Sequence, residues 1–140
     1  MLVMTSQIAD IDSSLRIDSY SLPQRRRLLD QLYKLNQRYR DSLVNGSKEV
    51  FKQQLFTHKV VANDEANQVL LDKLAKQFGW PTRQQYGDQG TFAAWLIVWH
   101  AKPSYQKRYY LLIKKAYQLG LIKQSPTQLE ECVKRFASSN

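Results

Sequence analysis

The stretch GWPTRQQYGDQGTFAAWLIVWHA, residues 79–101, decides the fold. It holds all three tryptophans of the chain, and residues 90–99 carry no charge. Gly79 and Pro81 read as a helix stop, because glycine suits the left-handed C′ position and proline forbids continuation. Trp80 then stands at C″, where an apolar side chain folds back on the last turn. TRQQYGDQG reads as a loop, with Asp88 able to cap the helix that follows. That helix, 89–101, is apolar nearly all round, which places it at the centre of the molecule. The expectation is an all-α fold, a compact bundle of about five to six helices around 89–101.

Working outward, a first helix opens at Ser21 with Pro23 in its first turn and stops at Asn45-Gly46. Leu28, Leu32, Leu35, Tyr39 and Leu43 step by three and four, one face of a helix. Ser47 is expected to cap a short second helix carrying Val50, Phe51 and Leu55. THKVVAND (57–64) reads as a connector. Asn63 or Asp64 then starts a third helix with Leu70, Leu71, Leu74 and Phe78 on one side. Pro103 or Ser104 opens the helix after 89–101, which runs to near Gly120. SPTQ (125–128) gives the last start signal, with Ser125 as N-cap, Pro126 at N1 and Gln128 at N3. That helix should bury Leu129, Cys132, Val133 and Phe136. Residues 1–20 space their apolar side chains irregularly and read as a loosely ordered N-terminal arm. Residues 21–140 read as a single helical domain.

Composition excludes several classes. At 140 residues, 43% hydrophobic and 24% charged, the chain can bury a core and does not read as disordered. Its one cysteine, Cys132, rules out an internal disulfide and fits a cytoplasmic home. The N-terminus lacks a basic n-region, so no signal peptide is expected. The apolar run Phe92–Trp99 falls far short of the ~20 residues that cross a bilayer, so no membrane role is expected. The net charge of +9 suits an acidic protein partner, an anionic ligand or nucleic acid. Self-association stays open.

The informative residues are polar ones on apolar faces. At about 100° per residue, Asn36 falls among Leu29, Leu32, Tyr39 and Leu43, with Arg40 one turn further along. Asn67 shares a face with Leu70, Leu71, Leu74 and Phe78. His100 closes the most apolar helix. Buried amides and imidazoles need hydrogen bonds, so these residues either brace the bundle or line a polar pocket. At a helix C-terminus the dipole favours a charged His100, while apolar surroundings favour a neutral one. A lone histidine is more often a satisfied core residue than a catalyst. His58 is the only other histidine, and no cysteine or carboxylate stands beside His100 at ligand spacing, so neither a metal nor a cofactor is expected. Cys132, on an apolar face, reads as inert packing.

Between Lys102 and Lys123 every charged residue is basic. Lys107, Arg108, Lys114 and Lys115 form one stripe, opposite a core face of Tyr105, Tyr109, Leu112, Ile113 and Ala116. Such a stripe can meet phosphates or simply be solvated. Arg25–Arg27 sit where the helix dipole disfavours cations, which points them to solvent or a partner. No helix-turn-helix or other reader motif is present.

The order NQRYR (36–40), DEANQVLLDKLAKQFGWPT (64–82), GDQGTFAAWLIVWHA (87–101), YQKRYYLLIKKAYQLGLI (105–122) and SPTQLEECVKRF (125–136) resembles DUF6624, a family of small bacterial proteins of unknown activity. The resemblance spans about 28–136 and singles out Gln37, Arg40, Asp64, Asn67, Trp80, Gly87, His100, Gln106 and Arg135. The chain departs from that pattern at four places. Asn36, Lys102 and Lys134 stand where it has aspartate, and Trp99 where it has glutamine. Acid–base chemistry needs a tuned carboxylate or histidine beside its partner, so the missing acids favour binding. Two further functions remain in view. One is a small enzyme using His100, with Arg40 or Asn67 orienting an anionic or amide substrate. The other is nucleic-acid binding through the basic helix.

Overall fold

The structure is a computed structural model that describes the backbone of residues 9–139. Five helices follow one another among these residues: α1 Leu22–Asn45, α2 Val50–Phe78, α3 Arg83–Trp99, α4 Pro103–Gln118 and α5 Thr127–Ser139. No strand occurs among them. The fold is the all-α bundle expected. α1 packs on α2 and α3, α2 and α3 on each other, α3 on α4, and α4 on α5. α3 thus packs against three of the other four.

The start of α1 follows its sequence signals. Ser21 Oγ accepts the Gln24 N–H at 3.3 Å, and Gln24 Oε1 accepts the Ser21 N–H at 2.7 Å. That reciprocal cap satisfies two donors which a helix start otherwise leaves orphaned. At the end of α2, Gly79 takes φ 84°, a left-handed turn that costs glycine little. Trp80 packs its ring 5.4 Å from that of Tyr109, on α4. The core runs through all five helices. Leu29 and Leu32 of α1, Leu70, Leu71 and Leu74 of α2, Ile97 and Val98 of α3, Ile113 of α4 and Leu129 of α5 are wholly or almost wholly buried.

Several boundaries differ from expectation. The short second helix, the connector 57–64 and the third helix are one continuous helix, α2. Thr57, His58, Val60 and Val61 have modest helix propensities, but each penalty is only a few tenths of a kcal/mol. With no Gly or Pro between 47 and 78, nothing there breaks the helix. Asn63 consequently is not a cap but a buried side chain inside α2. α2 is also uneven along its length. Val50, Phe51, Leu55 and Val61 are exposed, and its first buried residue is Ala62.

The TRQQYGDQG segment is not all loop. Residues 83–86 form a helical turn, which Gly87 at φ 73°, ψ 173° kinks away from the rest of α3. Asp88 stands just past that kink, near the expected start. α3 is not apolar-buried all round, since Phe92 is 37% exposed and Trp95 and Trp99 are half-buried. Leu112 lies 46% exposed rather than on the core face of α4. Among the described side chains of α5 only Leu129 is fully buried; Cys132, Val133 and Phe136 are half-buried.

The expected N-terminal arm lies outside the described residues up to position 8. Its described part is pinned. Ile17 is 2% exposed, and Asn63 Oδ1 accepts the Asp10 N–H at 2.7 Å. Of the arginine cluster, Arg26 and Arg27 are exposed as expected, whereas Arg25 is held inward. Arg25 donates to the Tyr86 hydroxyl and the Tyr20 carbonyl, 2.9 Å each, and lies 4.0 Å over the Phe78 ring. Arg26 reaches the Gln85 carbonyl at 2.5 Å, and Arg27 is exposed.

Candidate functional site

Three helices bring the misplaced polar residues together. His100 caps the C-terminal end of α3, its N–H bonded to the Leu96 carbonyl at 3.0 Å. From there its ring reaches the middle of α1, where Nδ1 lies 3.1 Å from Asn36 Oδ1. The same oxygen accepts the Gln37 side-chain amide at 2.8 Å. One turn further along α1, Arg40 donates to the Asn36 carbonyl at 2.6 Å. Its guanidinium then grips Asp64 of α2 through two bonds, at 2.9 and 2.5 Å. The fork-to-carboxylate geometry is the strong form of such a pair. Asp64 and Asn67 lie three residues apart on α2, so both face α1. Asn67 donates to the Leu32 carbonyl at 3.0 Å.

The amide oxygen of Asn36 can only accept, so Nδ1 of His100 must carry the proton. Nε2 is then the unprotonated nitrogen, and it has no hydrogen-bond partner among the described residues. Burial disfavours the imidazolium, and the Arg40 charge adds to that; the Asp64 carboxylate opposes both. The net shift is downward, so the ring is neutral at pH 7. Two buried atoms of these residues lack a hydrogen bond: the Asn36 amide nitrogen, a donor, and Asn67 Oδ1, an acceptor. Asn36 is 2% exposed and Asn67 not at all. Leaving such a group unpaired costs about 1–3 kcal/mol.

Asn36, Gln37, Arg40, Asp64 and His100 therefore form one linked cluster. Asn67 bonds α1 separately, one turn before Asn36. Gln106, at the start of α4, is buried and ties the Trp99 carbonyl at 3.1 Å, which steadies the α3–α4 corner beside His100. Arg135 is exposed on α5, 3.7 Å from Glu131 of its own helix. The surface cavities beside Arg83 and Gly87 (about 430 Å³), His58 and Lys48 (about 310 Å³) and Phe92 and Gln124 (about 250 Å³) are lined by other residues. Among the described residues no group of His, Cys, Asp and Glu stands close enough to hold a metal ion.

Spacing missed Asn63. It is fully buried and braces the N-terminal segment by holding Asp10 through two bonds, 2.7 and 3.2 Å. The signal was present, because Asn63 sits one turn before Asn67 on the same face. Burial raises the pKa of the Asp10 carboxyl, but bonds from Lys59 and Asn63 outweigh it and hold it below the usual range.

On α4, Lys107 and Lys115 are exposed. Arg108 pairs with Asp72 at 3.1 Å and lies 5.5 Å over the Tyr105 ring. Lys114 is half-buried, 5.8 Å over Tyr110. Tyr105 and Tyr109 both turn inward. Tyr105 donates to the Gln68 carbonyl at 2.9 Å and Tyr109 to Asp72. Burial, together with the Asp72 carboxylate, pushes both phenols well above their ordinary pKa.

Compared with known proteins, the chain significantly matches no family model, no curated protein and no solved structure. No helix among the described residues is long and apolar enough to cross a membrane.

Proposed function

We propose that this chain is a small helical binding protein, cytoplasmic in setting, that holds an acidic amphipathic segment of a partner protein against the outer face of α4. One observation carries the reading. Lys107, Leu111, Lys115 and Leu119 form a single row at four-residue spacing, with Leu111 68% and Leu119 62% exposed. Arg108 and Leu112 form the row beside it. Exposed leucines set among cations suit a segment whose own apolar residues are flanked by Asp and Glu. A nucleic acid would use the lysines but leave the leucines in water. Arg108, already paired with Asp72, is less available to a phosphate.

The His100 cluster fits this reading as the brace that fixes α1, α2 and α3 behind α4. The departures from the DUF6624 pattern, at Asn36, Lys102 and Lys134, remove acids and favour binding over turnover. A second reading, a small enzyme, rests on the neutral His100 ring with its unpartnered Nε2, which could take a proton as a general base.

The test is fluorescence anisotropy with a labelled acidic amphipathic helical peptide, beside a single-stranded RNA and vesicles containing anionic lipid. The expected result is saturable peptide binding that Leu111→Asp with Leu119→Asp weakens at least tenfold. RNA or vesicle binding that survives those two changes, without peptide binding, would overturn the proposal.

A further inference from the structure

We propose that the outer face of α2 pairs two copies of this chain, helix against antiparallel helix. At about 100° per residue, Val50, Phe51, His58, Val61, Glu65 and Val69 share the side of α2 turned away from Leu70, Leu71 and Leu74. The four apolar members are exposed, Val50 71%, Phe51 74%, Val61 51% and Val69 42%. His58 and Glu65 are exposed as well. Apolar side chains gathered on one face mark an interaction site. The charges decide the partner. The chain carries +9 overall, so most of its surface repels a second copy. On this face, between Val50 and Val69, stands no lysine or arginine. Two copies can therefore meet here, whereas the acidic segment proposed for α4 finds no cation to pair with.

The polar residues set the register. His58 lies three residues before Val61 and Glu65 four after it, about 10 Å apart along the helix. That is too far for the two to bond within one copy, since side chains on a helix meet at a spacing of three or four. A second helix turned antiparallel about a two-fold axis beside Val61 places each His58 opposite the other copy's Glu65. The imidazole carries an N–H in either charge state, and the carboxylate accepts it. Val61 then packs beside its own counterpart, and Val69 falls between Phe51 and Leu55 of the other copy. The face is thus its own complement, as a two-fold interface requires. Two single helices bury less than the roughly 1,200 Å² at which stable complexes begin, so the dimer should be reversible and form at micromolar concentrations.

The test is sedimentation velocity of the full chain from about 10 to about 300 μM, where a reversible dimer shows itself. Val61→Glu is expected to leave only monomer. Glu65→Lys is expected to weaken the dimer at least tenfold. Adding His58→Glu to Glu65→Lys should restore it to within about threefold, which a merely apolar contact would not do. All three positions are exposed, so these variants should fold, and circular dichroism checks that they do. Independently, the amides of residues 51–61 should gain exchange protection as the concentration of the unaltered chain rises, and should not in Val61→Glu. A chain that stays monomeric throughout that range would overturn the proposal. So would a dimer indifferent to Val61→Glu, or one that the exchange of charges fails to restore.

Discussion

Replacing Asp64 with alanine takes away both bonds that hold the Arg40 guanidinium and leaves that cation with the Asn36 carbonyl alone. The side chains of Arg40 and Asp64 are 25% and 13% exposed. Removing one partner of a fully buried pair costs about 3–5 kcal/mol. Breaking a surface pair costs about 0–1 kcal/mol. With the exposures seen here, the expected loss is about 2–3 kcal/mol. At the urea dependence typical of small proteins, that loss lowers the unfolding midpoint by about 1–2 M. The double variant Arg40→Met with Asp64→Ala should be less destabilised than Asp64→Ala alone, because it leaves no orphaned charge. The His100 resonance gives an independent readout. Asp64 raises the imidazole pKa and Arg40 lowers it, so Asp64→Ala should lower that pKa further and Arg40→Met should raise it. An Asp64→Ala loss below about 0.5 kcal/mol, or strict additivity in the double variant, would refute the reasoning.

Three further outcomes are expected. Folded His100 titrates below its ordinary 6.5, so between its folded pKa and about 6.5 the unfolded chain binds more protons. Stability should therefore fall as pH drops below about 6.5 and be unaffected by this group above it, and His100→Asn should flatten that slope in urea melts across pH. Gly87 has φ 73° and open space where a Cβ would go, whereas a Cβ at Gly90 would lie 2.6 Å from that of Tyr86. With ψ 173° besides, Gly87 lies in a region essentially restricted to glycine, so Gly87→Ala should lose about 1–3 kcal/mol despite the open space. Asparagine at Gly90 should be worse than alanine there, as thermal melts will show. Finally, Val60→Pro should cost about 3 kcal/mol or more and reduce helical circular dichroism; full tolerance would contradict a continuous α2.

What could be read from the chain depended on how local its cause was. Ser21 with Pro23, and Gly79 with Pro81, act within a few residues, and the elements they bound formed where expected. α2 was split because its middle offers no strong signal either way. A run of weak helix formers looks like a connector until neighbouring helices supply the packing that keeps it helical. The site was legible in its members rather than in its bonds. Asn36, Asn67 and His100 each betrayed themselves as polar residues on an apolar face. That His100 meets Asn36 rather than Asn67 depends on where the end of α3 crosses α1, a matter of packing between segments 64 residues apart. The Arg40–Asp64 pair was hidden for the same reason.

The uneven burial of α2 has a consequence for how the molecule breathes. Backbone amides exchange with solvent at rates set by the free energy of local opening. In the half from Ala62 onward, opening must tear Leu70, Leu71 and Leu74 out of the core, so those amides should exchange only when the whole protein unfolds. Before Ala62 the helix can unwind without disturbing a single fully buried side chain. One unbroken helix should thus carry a steep gradient of protection, with its free end opening and re-forming many times during a single lifetime of the core.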